Sequence, residues 1–133
     1  MDFDLSEEQR LLKESIDGLL RDAYDFERRK SYRKERDGWS RAIWGKFAEQ
    51  GLLALPFAEA DGGFGGGAVE TMIVMEALGR ALVIEPYLAS VVLAGGVLRH
   101  GGSQAQRAAC LPGLIEGHRT LAFAQLERSS RYD

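Results

Sequence analysis

The sequence predicts an all-α fold: an N-terminal helical domain of five to six helices, followed by the first strand of a truncated β-domain. Three observations lead there. Apolar residues recur three and four positions apart through most of the chain, the period of a helix with one buried face. Capping residues, glycines and prolines divide those runs into pieces of helical length. After Gly117 the period breaks, and "TLAFAQLE" reads as a short apolar, strand-like run.

The first helix opens at "DLSEEQRLLKESIDGLL". Ser6 followed by Gln9 fits a capping box, and Glu7 and Glu8 sit at the positive end of the helix dipole. Leu12, Ile16, Leu19 and Leu20 share one face, and the helix runs to about Tyr24, weakened at Gly18. "FERRKSYRKERDG" mixes six cations with three anions. It reads either as a patch for an acidic partner or, preferred here, as a solvated helix or loop with local ion pairs. A third helix starts near Trp39 or Ser40, capped by Asp37 or Ser40. Its apolar stripe is Trp39, Ile43 and Phe47, and Gly51 is its stop.

The fourth helix follows "ADGGFGGG". From Ala68 it is apolar nearly all round, through Val69, Met72, Ile73, Val74, Met75, Ala77 and Leu78, so a central position surrounded by other helices is expected. Its methionines read as core filler, with no Cys or His at ligand spacing. Pro86 breaks the chain before another apolar helix over residues 87–99, and Ser103 caps a sixth, which Pro112 shortens or kinks unless it falls at a boundary. A strand without a partner leaves its backbone groups unpaired. The stop at Asp133 is therefore expected to be a truncation, with further chain supplying the sheet.

A chain of 133 residues makes one domain, and 45% apolar with 28% charged residues is an ordinary globular composition. A net charge of −3 argues against general nucleic-acid binding. Cys110 is the only cysteine, so no intramolecular disulfide forms, which fits a reducing compartment. The N-terminus lacks the apolar core of a secretory signal, and the longest apolar stretch, residues 91–98, is too short to cross a bilayer. A cytoplasmic protein without membrane contact is expected.

The glycine cluster is the first candidate site, because backbone N–H groups at a helix start can hold a phosphate. It fits neither a Walker A loop, lacking Gly-Lys-Ser/Thr, nor the dinucleotide fingerprint, lacking a preceding strand and the required spacing. A sharp reversal close to a ligand or another helix is the better reading. His100 and His118 belong to no metal-spaced set, so no metal is expected. Cys110 has no activating neighbour and reads as a buried, inert thiol. Glu70 and Glu76 fall on different helix faces, and Glu85 before Pro86 reads as a loop carboxylate. Composition and spacing alone show a helical domain with no visible active site.

Three stretches in order carry a family resemblance over the whole chain. "MDFDLSEEQRLLKESIDGLL" resembles the opening helix of acyl-CoA dehydrogenases. "WGKFAEQGLLALPFAEADGGFGGGAVETMIVMEALGRA" resembles their Gly-Leu, Pro and Gly-Gly segment with the helix that ends in Glu-x-Leu-Gly-Arg. "LAFAQLERSSRYD" stands where they carry a flavin-contact segment. The nearest type is the bacterial pimeloyl-CoA dehydrogenase small subunit. The resemblance implies that residues 1–118 form the family's N-terminal helical domain and 119–133 the start of its middle β-domain.

It further implies an FAD-dependent oxidoreductase of acyl-CoA (fatty acid) metabolism that desaturates a thioester between its α and β carbons. Flavin and thioester are then stacked in a dry slot that aligns both transfers. The family's catalytic carboxylate lies in a C-terminal bundle, so no catalytic residue is nominated here, and the fragment alone is expected to be inactive. Implied partners are the acyl-CoA substrate, the remaining domains of the same chain, further subunits of a homo- or hetero-oligomer, and an electron-transfer acceptor.

By the same resemblance, Phe123, Gln125 and Leu126 contact the cofactor, whereas Tyr87, Leu88 and Tyr132 contact the substrate. The glycine-rich loop borders the acyl end of the pocket. Tyr87 and Leu88 are equally readable as plain core. Leu126 replaces the family's Thr, whose hydroxyl bonds the flavin, and leucine has no such donor. Glu127 and Asp133 keep the family's residues, while Arg128, Ser129, Ser130, Arg131 and Tyr132 depart from its Pro-x-Ala-Gly-Ser. These departures fit an alternative: a non-catalytic structural subunit paired with a more conventional one. A free-standing helical interaction module ending at Asp133 is the other.

Overall fold

The computed structural model describes residues 4–126. Every regular element among them is helical: α1 (Glu7–Ala23), α2 (Phe26–Tyr32), α3 (Arg41–Glu49), α4 (Ala68–Arg80), α5 (Gly95–Gly101) and α6 (Gln104–Ile115), with a 3-10 turn at Glu59–Asp61 and a π-helical segment at Leu88–Ala94.

Local chemistry sets most boundaries. At α1, Gln9 N–H donates to Ser6 Oγ (3.2 Å) and Ser6 N–H to Gln9 Oε1 (3.0 Å), the capping box expected. Ile16, Leu20 and Ala23 are its buried face. Asp25 caps α2 by accepting from Arg28 N–H at 2.8 Å, and none of that helix is buried. The basic run is a solvated helix whose Arg28 and Lys30 pair with Asp25 and Glu27. In α3, Trp44 joins Ile43 and Phe47 in the core, while Trp39 is only half-buried and meets Trp44 edge-on at 5.9 Å. Gly51 ends the helix in the left-handed region, φ 74°.

α4 lies along α1. Gln9 meets Glu70 at one end and Asp17 meets Arg80 at the other, so the two helices run parallel. Ile73, Val74, Ala77 and Leu78 are buried, but Val69 and Met72 are exposed. The central, enclosed helix expected from its composition is thus covered on one side only among the described residues. α4 closes in a Schellman motif: Val83 N–H donates to Leu78 O (2.9 Å) and Leu82 N–H to Gly79 O (3.1 Å). Leu82 occupies its left-handed position at φ 54°, where glycine is usual.

The helix expected over residues 87–99 forms in two parts. Leu88–Ala94 is wound as a π-helix, in which Gly95 N–H reaches back to Ser90 O, and α-helical winding resumes at Gly95. A Cβ at Gly95 would stand 2.6 Å from the Phe57 ring, so this close approach requires glycine. α6 begins with the capping box of Ser103 and Gln106 and carries Pro112 inside it, and its Leu111 and Leu114 complete the core.

Residues 121–126, expected as a strand, lie in no regular element. A strand needs a neighbour for its ladder, and no strand among the described residues offers one. Glu127 to Asp133, with the candidate Tyr132, lie outside the described residues.

Candidate functional site

The glycine loop is closed by its own backbone. Gly62 N–H donates to Glu59 O, Gly63 to Ala58 O, Phe64 to Ala54 O, Gly65 to Phe57 O and Gly66 to Leu55 O, at 2.7–3.3 Å. Gly67 N–H donates to Glu70 Oε2 at 2.7 Å. These donors are all taken, and the helix start already holds a carboxylate, so the loop is no phosphate cradle. Its glycines serve packing instead: a Cβ at Gly63 would stand 2.1 Å from Phe57 O, and one at Gly66 2.7 Å from Leu55 O. Glu70 also accepts from Gln9 Nε2 at 2.7 Å. That bond, then those from its own and Gly67's N–H, hold its carboxyl below the usual carboxylate range.

The loop delivers Phe57 against Gly95, and there three parts of the chain converge. A cleft of about 160 Å³ opens between them, lined by Pro56, Phe57, Thr71, Val91, Gly96 and His100. Val92 and Arg99 complete its lining, so apolar side chains share its walls with two basic ones. On the same π segment and α5, Leu88, Leu93 and Val97 stay exposed, Leu88 at 50%. The last described segment is fastened here too: Ser90 Oγ donates to Leu121 O (2.8 Å) and accepts from Leu121 N–H (3.1 Å). Beyond Leu121, Phe123 is 50% and Leu126 59% exposed, and Gln125 is exposed as well. Their backbone groups have no hydrogen bonds to other described residues. Exposed apolar side chains and the tie to Leu121 therefore belong to one stretch of helix.

The predicted residues divide accordingly. Leu88 lies open to solvent, as do Phe123, Gln125 and Leu126 on the segment beyond Leu121. Tyr87 does not: it is 1% exposed, and its hydroxyl donates to Leu52 O at 3.1 Å. Burial pushes its phenol well above the usual tyrosine range. Cys110 is half-buried, the histidines are exposed, and no group of potential metal ligands occurs among the described residues.

The burial of two polar residues here escaped the sequence reading. Ser90 stood inside an apolar run and drew no notice. Glu85 is the loop carboxylate expected, but a buried one, 5% exposed. It accepts from the Tyr24 hydroxyl at 2.7 Å and from Ser40 N–H at 3.1 Å, tying the end of α1 to the start of α3 just before the π segment. Burial, reinforced by the bond to Glu85, raises the Tyr24 phenol pKa. The signal available in the sequence was a lone Glu and a lone Ser in "ALVIEPYLASVVLAGG", each needing a partner if buried.

Residues 122–126 present exposed side chains, Phe123 and Leu126 among them, and backbone groups without hydrogen bonds to other described residues. This fits part of a flavin site and not the whole, since no described residue cluster offers a phosphate cradle. No helix among the described residues is long and apolar enough to cross a membrane.

Comparison with known proteins bears on the helical domain as a whole. The sequence profile "Acyl-CoA dehydrogenase, N-terminal domain" matches residues 6–118. The chain is 32% identical over 124 residues to acyl-CoA dehydrogenase FadE27 of Mycobacterium tuberculosis, covering 93% of this chain and 33% of that protein. Among solved structures it resembles a chain of the ChsE4-ChsE5 complex from M. tuberculosis, with a TM-score of 0.83 at 32% identity over 92% of this chain and 34% of that one. It also resembles a variant of the Tcur3481-Tcur3483 steroid ACAD, with a TM-score of 0.81 at 27% identity over 87% of this chain and 32% of that one. The chain thus spans about a third of the length of the proteins it matches.

Proposed function

The chain belongs to the acyl-CoA dehydrogenase family through its N-terminal domain, and from that premise we propose that it forms one wall of the acyl pocket in an FAD-dependent enzyme. That enzyme desaturates an acyl-CoA thioester between its α and β carbons. The observation that carries this reading is the exposed apolar face of Leu88, Leu93 and Val97, on the helix to which residues 121–126 are fastened. A dry wall excludes water from a thioester tail. The neighbouring segment, through Phe123, Gln125 and Leu126, lies along one edge of the flavin. Leu88 faces the substrate, the role the resemblance also assigns to Tyr132 outside the described residues, and Tyr87 supports the wall from behind through its bond to Leu52. Bound FAD supplies the hydride acceptor. The base and the rest of the cofactor site come from further chain, so these 133 residues alone neither hold FAD nor turn over. The middle β-domain begins at residue 119 in this reading, and the protein works in the cytoplasm with a separate electron acceptor.

The test is to express the chain with its downstream reading frame and measure flavin content and acyl-CoA desaturation with an artificial electron acceptor. A flavin-bearing, active product supports the reading. A colourless, inactive product that stays so beside candidate partner subunits contradicts it.

One observation favours a second reading. Leu126 has no hydroxyl to give the flavin, and two similar structures are described as two-component assemblies, one of them a steroid ACAD. A structural subunit of a heteromeric dehydrogenase would show activity only after mixing with its partner, whereas the first reading predicts activity from the product alone.

A further inference from the structure

We propose that Ser90 is a positioning residue that sets the register of the cofactor-contact segment and couples it to the acyl wall; this rests on the reading given above. Ser90 is fully buried, and both functions of its hydroxyl are spent on one residue 31 positions away, donating to Leu121 O at 2.8 Å and accepting from Leu121 N–H at 3.1 Å. A hydroxyl that donates to and accepts from the same residue fixes both position and orientation. Leu121 is also the last described residue with a hydrogen bond to another part of the chain. Phe123 lies two residues on, at most roughly 7 Å away along the chain. The placing of Phe123, Gln125 and Leu126 therefore starts from Ser90.

The π winding links this pin to the wall. Gly95 N–H bonds Ser90 O across the wide turn, and the Phe57 ring fills the space a Cβ at Gly95 would need. Leu88, Leu93 and Val97 stand on this same stretch of helix, with Leu88 two residues before the pin. Displacing the wall displaces the pin, and with it the segment that meets the cofactor. π-helical insertions often occur at functional sites.

The experiment has two arms. In the 133-residue chain, amide exchange is followed in native protein, Ser90→Ala and Ser90→Cys. Ser90→Ala is expected to speed exchange at Leu121 about tenfold or more, leaving Ile16 in α1 within about twofold. Ser90→Cys, a weaker donor, should fall between. In the longer, flavin-bearing protein, Ser90→Ala is expected to shift the flavin absorption band and weaken flavin retention, with Ser90→Cys again intermediate. Unchanged exchange at Leu121 overturns the proposal. So does a freed Leu121 with native flavin absorption and retention, which would leave Ser90 a purely structural tie. Should Ser90→Ala not fold, Ser90→Cys carries both arms. A native longer protein that holds no flavin refutes the underlying reading, and the proposal falls with it. Native flavin with an unaffected variant refutes the proposal alone.

Discussion

Glu85 shows how much one side chain can hold. Its two oxygens take the Tyr24 hydroxyl and Ser40 N–H in the interior, where a donor without a partner is expensive. Glu85→Ala should lower stability by about 2–3 kcal/mol, read from the urea midpoint, because both donors are orphaned. Glu85→Gln keeps an acceptor for one donor and should cost less. Equal losses would mean the carboxylate is not the acceptor that matters. These contacts were not legible in the sequence, because the partners lie 61 and 45 residues away. A separation of 31 residues likewise hid the bond of Ser90 to Leu121. By contrast, the box of Ser6 with Gln9 and the cap at Ser103 act within four residues, and they were readable directly.

At the scale of elements, α4 carries two tests. Glu70 holds its N-terminus and has its carboxyl pKa lowered by Gln9 and by backbone N–H groups. A group with a depressed folded pKa adds stability above its unfolded value, here near 4.5, and loses it as pH falls through the folded value. Glu70→Gln should therefore lower the melting temperature at neutral pH and flatten its decline with acid. A parallel decline in both proteins would remove Glu70 from the account. At the other end, Leu82→Gly should relieve the left-handed strain at φ 54° and raise stability by up to about 1 kcal/mol, measured by thermal melting. Gly63→Ala should do the opposite, costing about 2 kcal/mol or more, since its methyl would meet the Phe57 carbonyl. The sequence showed that these helices exist and roughly where they stop. It did not show the π winding, at whose end Phe57 packs against Gly95 across 38 residues of chain.

For the whole molecule, hydrophobic periodicity places a face inside without saying what covers it. α4 reads as apolar all round, yet Val69 and Met72 are open, as are Leu88, Leu93, Val97 and Phe123. In the proposed enzyme further chain or another subunit covers such surface, at roughly 25 cal/mol per Å² of apolar area. The family was legible because its motifs are local and ordered. The site was only partly so, since the tie between Ser90 and Leu121 spans 31 residues and, in the proposed enzyme, further chain completes it. The most direct test is anaerobic addition of acyl-CoA to the longer, flavin-bearing protein, following loss of the oxidised flavin absorption band, for native protein and for Leu88→Asp. A charge placed in a dry acyl wall should raise the acyl-CoA needed for half-bleaching about tenfold or more, equivalent to about 1.4 kcal/mol. Superimposable bleaching curves would show that Leu88 and its face do not line the pocket.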